Sequence, residues 1–197
     1  MSIVDKVIAA VTPPESDKAR AEARAKARAS AVPGSWLSMV LDHHLQIEAA
    51  FLAVANASSA SGRVAAQKQL ALILTGHSTA EEVVLYPAMA LSDQKAHSEM
   101  AYLEQSMTKV QLAALERLDP MSQDFADKLE HIRGAVAHHV YEEEDKWFPE
   151  LQALNEPSLE DTLAARYQEE FERYTQASDT ARFGAGSDTD SVTVSVA

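Results

Sequence analysis

Two stretches of the sequence carry the same pattern, and that pattern leaves few folds open. His77-Ser-Thr-Ala-Glu81 leads into Tyr86-Pro87, and His139-Val-Tyr-Glu-Glu143 leads into Phe148-Pro149. In both, Glu follows His by four residues and Pro follows His by ten. On an α-helix, positions four apart lie one turn apart on one face, so each imidazole and its carboxylate converge on one point. Such a pair supplied by each of two helices is a metal-ligand pattern rather than an apolar core. The prolines predict that each helix stops just past its donors, because Pro lacks an N–H and clashes with the turn before it.

The surrounding sequence reads as helix. Ala is abundant and β-branched residues are sparse in the middle of the chain, which favours helix over sheet. Over 35–57, Leu37, Val40, Leu41, His44, Ile47, Phe51 and Val54 recur at helical spacing, placing His44 in an apolar stripe and His43 beside it. A second helix over 63–86 turns Leu70, Ile73, Leu74, His77, Glu81, Val84 and Leu85 inward. Gly76 permits close approach of a neighbouring helix there, and Glu82 reads as solvated. A third helix starts at Ser92 or Asp93 and runs to 118, with a stripe of His97, Met100, Leu103, Met107, Val110 and Ala114. Glu104, two turns past His97, is a candidate outer partner for a ligand. The fourth, over 122–148, aligns Phe125, Leu129, Ile132, Val136, His139 and Glu143, leaving His131 and His138 on another face. Helices joined by short loops predict an all-α, antiparallel up-down-up-down four-helix bundle over 35–150.

Extensions flank this domain. Residues 1–34 contain a short helix from Ser2 or Asp5 to Val11, then an Ala- and Arg-rich helix over 16–31, solvated or packed on a partner subunit. Residues 151–177 form a C-terminal helix. Its capping box is Ser158-Leu-Glu-Asp161, and its face carries Leu159, Leu163, Tyr167, Phe171 and Tyr174. Residues 178–197 read as a flexible tail, whose Ser191–Val196 stretch alternates like a strand.

A formal charge of −13 argues against a nucleic-acid partner. The absence of Cys excludes disulfides, thiolate zinc sites and iron–sulfur clusters. No stretch approaches the ~20 apolar residues of a membrane span, and the short N-terminal apolar run lacks a signal-peptide cleavage site. The expectation is a soluble, cytoplasmic protein.

Two His-x3-Glu pairs, each preceded by a stripe histidine, offer four imidazoles and two carboxylates: His44, His77, Glu81, His97, His139 and Glu143. That set is too large for one tetrahedral zinc and suits two divalent ions. Nitrogen and oxygen donors without thiolate favour iron or manganese, with zinc also compatible. A ferritin-like di-iron oxidase is disfavoured, because its pattern is Glu-x-x-His with carboxylates in excess.

Across about residues 36–150 this arrangement resembles the haemerythrin-like (HHE) cation-binding family. The resemblance implies a non-haem di-iron centre, with Glu81, Glu143 and an oxo or hydroxo group as bridges and His44, His77, His97 and His139 as terminal ligands. The sequence departs from the oxygen-carrying members. Ala101 stands where they have a further His, and Glu143 is four residues from His139 where they have Asp at a spacing of five. These departures point away from reversible oxygen carriage. They point toward sensing of O2, NO or reactive oxygen species in a stress response, with peroxidase- or catalase-like turnover or iron storage and repair as alternatives. The expected small partner is a diatomic gas or a peroxide. The amphipathic C-terminal helix and the basic N-terminal one predict a homodimer formed through the extensions, which light scattering on the full chain would detect.

Overall fold

The computed structural model describes residues 15–154 and 157–183, with residues 157 and 177–183 given by backbone alone. The expected helix near Val11 and the strand-like stretch at 191–196 lie outside the described residues. Among these, every element is helical: α1 (Asp17–Ser30), α2 (Trp36–Asn56), α3 (Ala60–Ala80), α4 (Tyr86–Leu91), α5 (Lys95–Leu115), α6 (Gln123–Glu142), α7 (Phe148–Leu154) and α8 (Pro157–Phe183). The sequence's four-helix expectation holds, with α2, α3, α5 and α6 as the bundle and α1 and α8 laid against it.

Local chemistry accounts for the helix starts. Ser16, Ser35, Ser59 and Ser122 each have extended backbone, and each side-chain oxygen accepts a hydrogen bond from the N–H three residues on. Such a cap satisfies one of the N–H groups that a helix leaves unpaired at its start. Between α1 and α2 the chain reverses through Gly34, whose φ of +82° lies in the left-handed region that favours glycine.

Pro87 and Pro149 do not end their helices as expected. A π-helical turn, Glu81–Leu85, joins α3 to α4, and a second, Glu143–Trp147, joins α6 to α7. In each the bond spans five residues, from the Tyr86 N–H to the Glu81 carbonyl and from the Phe148 N–H to the Glu143 carbonyl. The extra residue widens the turn, so the proline that follows falls in the first turn of a new α segment, where its missing N–H is tolerated. The carbonyl of Glu82 accepts instead from the Tyr102 hydroxyl at 2.5 Å.

The core divides into two apolar clusters. One gathers Trp36, Leu37, Val40, Leu41, Leu85, Trp147, Phe148, Leu163 and Tyr167. The other gathers Ile47, Phe51, Val54, Leu70, Leu74, Phe125, Leu129, Ile132 and Val136. Along α2 and α3 the chain passes from one cluster to the other, with His44 and His77 at the crossing, while α6 with His139 packs in the second cluster and its continuation, Trp147 and Phe148, in the first.

On α5 the expected stripe faces the wrong way. Met100, Leu103, Met107 and Val110 are exposed, whereas Ser98, Ala101, Gln105, Leu112 and Leu115 are buried. The inward side of α5 is small and polar where it meets the middle of the bundle, so apolar periodicity picks the opposite face.

The terminal helices are part of the same packed body. On α1, Ala23 and Ala27 are buried against the bundle, and α8 buries Leu163 and Tyr167. The α8 face that motivated the expected dimer is thus largely covered within the chain. Gly76 on α3 makes this contact possible, since a Cβ there would lie 3.2 Å from Thr175 Cγ2, 3.3 Å from Tyr174 Cδ1 and 3.4 Å from Phe171 Cδ2. Gly76→Ala gains roughly 1 kcal/mol of helix propensity but pushes α8 outward. Hydrogen exchange is expected to show faster exchange of α8 amides in that variant, with α2 and α6 unchanged.

Candidate metal centre

Four donors converge in the layer between the two apolar clusters. Ligand atoms of His44, His77, Glu81 and Glu143, all buried, lie within 4.8 Å of one another. His77 Nε2 is 3.2 Å from Glu81 Oε2, the geometry expected of an i,i+4 pair on α3 and its π-turn. His44 Nε2 from α2 faces Glu143 Oε2 at 3.3 Å. On the other side of Glu143, Oε1 lies 3.1 Å from His139 Nε2 and 2.9 Å from the Tyr86 hydroxyl. Glu143 therefore spans two donor groups, one built on His44 and His77 and the other on His139 and Tyr86.

The histidines share one orientation. His44, His77 and His139 each turn Nε2 inward and tie Nδ1 to an outer group. The partners are Glu144 Oε1 at 2.8 Å, the Tyr167 hydroxyl at 2.9 Å and Glu104 Oε2 at 2.8 Å, in that order. This is how metal-binding imidazoles are held, because the outer hydrogen bond sets both the tautomer and the ring's direction. His44 Nε2, Glu81 Oε1 and Glu143 Oε2 are buried without a hydrogen-bond partner. Unsatisfied buried polar atoms are costly, and three in one small cluster fit a cation that would satisfy them together.

The structure brings five of the six expected donors into this layer and sets His97 apart. His97, half-buried near the start of α5, stacks on Trp147 with ring centroids 5.7 Å apart, and its Nδ1 has no partner. The α5 side chain that reaches the site is Gln105. Its Nε2 donates to Glu81 Oε2 at 2.6 Å and to the Tyr86 oxygen at 2.5 Å. His43 and His138 lie outside the central group, His43 against the Tyr167 hydroxyl and His138 against Glu15. A second cluster, Glu15, His138 and Glu142, is half-buried at the surface. Glu82 is not merely solvated, since Lys109 Nζ holds both its oxygens at 2.6–2.7 Å.

Several participants were not legible in the sequence as site residues. Glu144 is 1 % exposed beside Glu143, although helical spacing points only the first glutamate of the pair inward, and at the matching π-turn Glu82 stays partly exposed. Gln105 carries no spacing signal, and the helical spacing of Tyr167 marks it only as part of an apolar face. Glu104 did carry one, two turns past His97, but the structure sets it behind His139 instead.

Residues 37–151 match the family model of the hemerythrin HHE cation binding domain. The chain belongs to the hemerythrin HHE family. A DNA nickase of Nostoc sp. (strain PCC 7120 / SAG 25.82 / UTEX 2576) is 33 % identical over 75 residues, which is 38 % of this chain and 21 % of that protein. No solved structure matches the chain. Helices α1 and α8 lie outside the hemerythrin match.

Charge within this hemerythrin site is finely opposed. Burial disfavours the charged form of His44, but the Glu143 and Glu144 carboxylates against its two nitrogens outweigh it and raise its pKa to about 9. His139, slightly less buried, is held well above the ordinary imidazole value, the Glu143 and Glu104 carboxylates outweighing the burial that would lower it. Burial and the nearby His44 keep His77 well below it. Burial and the Glu143 charge push Glu81 well above the usual carboxylate range, while His139 and His44 hold Glu143 below it despite burial. These directions favour a proton on His44, His139 and Glu81 in protein stripped with a chelator, and a bound cation would displace such protons.

The sign of the pH effect follows. With a folded pKa of about 9 against 6.5, His44 stabilises stripped protein fully below pH 6.5, and that contribution fades as pH rises through about 9. It amounts to about 3 kcal/mol. The melting temperature of chelator-stripped protein is expected to fall across this window while the affinity for an added divalent ion rises. Calorimetry and chelator-competition titration at matched pH values check both trends.

Proposed function

We propose that this hemerythrin-family protein is a non-haem iron protein that binds and senses a small oxidant or gas: O2, NO or a reactive oxygen species. The observation that carries this reading is the set of three imidazoles with Nδ1 tied outward and Nε2 turned toward the buried Glu81 and Glu143 carboxylates, each of which keeps one oxygen without a partner. His44, His77, Glu81 and Glu143 would hold one ion. His139 and Tyr86, with the far oxygen of Glu143, would hold a second. Mixed nitrogen and oxygen donors without thiolate suit iron, with manganese and zinc as competitors. Bound iron supplies one-electron chemistry and open coordination positions for a diatomic or peroxide ligand.

The chain's own residues have separable tasks. Glu143 joins the two donor groups. Gln105 donates to both Glu81 and Tyr86, which fixes the direction of the carboxylate and leaves the Tyr86 hydroxyl proton for Glu143. Burial and the neighbouring carboxylates raise the Tyr86 pKa well above its ordinary value, so the phenol keeps its proton until a cation enters. The flanking apolar clusters exclude bulk water from this layer.

A peroxide-handling enzyme is the second reading, favoured by the same Tyr86 hydroxyl, a proton source 2.9 Å from Glu143 and 3.1 Å from His139. The nickase activity of the Nostoc protein is not adopted. That match covers 21 % of the relative, and a chain with a net charge of −13 is poorly suited to a polyanion.

Elemental analysis of protein grown with iron is expected to give about two ions per chain, falling to about one in Tyr86→Phe. His77→Ala should empty the first position, while His131→Ala should leave iron content unchanged. A firm stoichiometry below one iron in the unaltered protein would sink the reading. Steady peroxide turnover by the iron-loaded protein, absent after chelation, would favour the enzyme over the sensor.

A further inference from the structure

Two of the three outer contacts to the imidazoles depend on helices that the hemerythrin match does not include. Tyr167, on α8, is fully buried, and its hydroxyl lies 2.9 Å from His77 Nδ1 and 2.9 Å from His43 Nδ1. An imidazole that offers Nε2 to a cation carries its proton on Nδ1, so His77 donates to the Tyr167 oxygen. The Tyr167 O–H is then free to donate to His43, whose ring stacks on Phe171 with centroids 3.9 Å apart. One hydroxyl, used as acceptor on one side and donor on the other, sets the ring of His77.

Arg24, on α1, acts one step further out. Its Nε lies 2.8 Å from Glu144 Oε1 and 3.1 Å from Oε2, and its two terminal nitrogens reach Glu48 at 2.7 and 3.0 Å. Glu144 is 1 % exposed and accepts from His44 Nδ1 at 2.8 Å. A carboxylate buried this deeply needs a cation, and the forked guanidinium both supplies the charge and fixes the plane of Glu144.

We propose that the two terminal helices complete the metal centre: Tyr167 positions His77, and Arg24 positions His44 through Glu144. The inference rests on the metal-binding reading above and assigns these extensions a role at the centre itself. An outer hydrogen-bond partner raises the ligand's basicity and holds its direction, and losing one typically weakens metal binding about 10–100-fold.

The test uses the full chain with cobalt(II) as probe, reading its ligand-field absorption and its dissociation constant by chelator competition. Tyr167→Phe keeps the ring packed and removes only the hydroxyl. It is expected to weaken cobalt binding about 10–100-fold and to shift the absorption. Arg24→Lys keeps a cation but loses the fork, and is expected to shift the absorption in a chain that melts as a folded protein. Leu163→Ala, which loosens the same α8 face without touching a hydrogen bond, should lower the melting temperature and leave the absorption in place. Wild-type affinity and absorption in Tyr167→Phe would overturn the proposal, as would an equal spectral shift in Leu163→Ala. Should Tyr167→Phe fail to fold, an unchanged spectrum in Arg24→Lys would overturn it. Absence of cobalt uptake by the unaltered chain would instead remove the metal-binding reading and this inference together.

Discussion

Glu81 and Glu143 have no exposure to solvent, and a carboxyl in such a place is stable only with a compensating positive charge or a proton of its own. Much of the fold can be understood as supplying that charge and confining it. Three helices bring an imidazole each to the same layer, and two apolar clusters close over it from either side. The clusters alone would make a serviceable bundle. Interrupting them with histidines and glutamates weakens the core unless a cation enters, so the layer is better explained by binding than by stability. Glu143 is the hinge of this arrangement, with one oxygen toward His44 and the other toward His139.

The two π-turns show how far helical periodicity carries and where it stops. Up to Glu81 and Glu143 the backbone is regular, and the spacing of His and Glu could be read directly as convergence on one face. Beyond those residues the turn widens, and Glu144 joins Glu143 inside, as the i,i+4 rule does not foresee. The prolines, which on helical rules alone mark an end, instead follow the widened turn. Their presence at the same offset in both halves was the visible trace of the repeated π-turn.

On α5 the reading of the sequence failed for a different reason. Periodicity identifies a buried face by its large apolar residues, and the part of α5 nearest the site has Ser98, Ala101 and Gln105 there instead. A helix that must approach a polar layer closely uses small residues and one amide, so its apolar stripe is left on the outside. His97 followed that stripe and is half-buried against Trp147 rather than within the donor group. Ala101, where the resemblance marks a missing histidine, is fully buried in the core on the face that does point inward.

The outer partners of the imidazoles differ in kind, and the difference has a physical consequence. His44 and His139 lean on carboxylates, Glu144 and Glu104, whereas His77 leans on a neutral phenol. A carboxylate draws the Nδ1 proton more strongly than a phenol does, so it leaves its imidazole a stronger donor at Nε2. The carboxylates differ too, for Glu144 is 1 % exposed and shares Arg24 with Glu48, whereas the Glu104 side chain is 28 % exposed and in contact with water. Three imidazoles of identical chemistry are thus graded by what lies behind them. Within one donor group, His44 and His77 flank the same pair of carboxylates with unequal basicity, and the side supported by the phenol should let its ligand go first. That asymmetry comes from α8, whose approach to His77 depends on the missing side chain at Gly76.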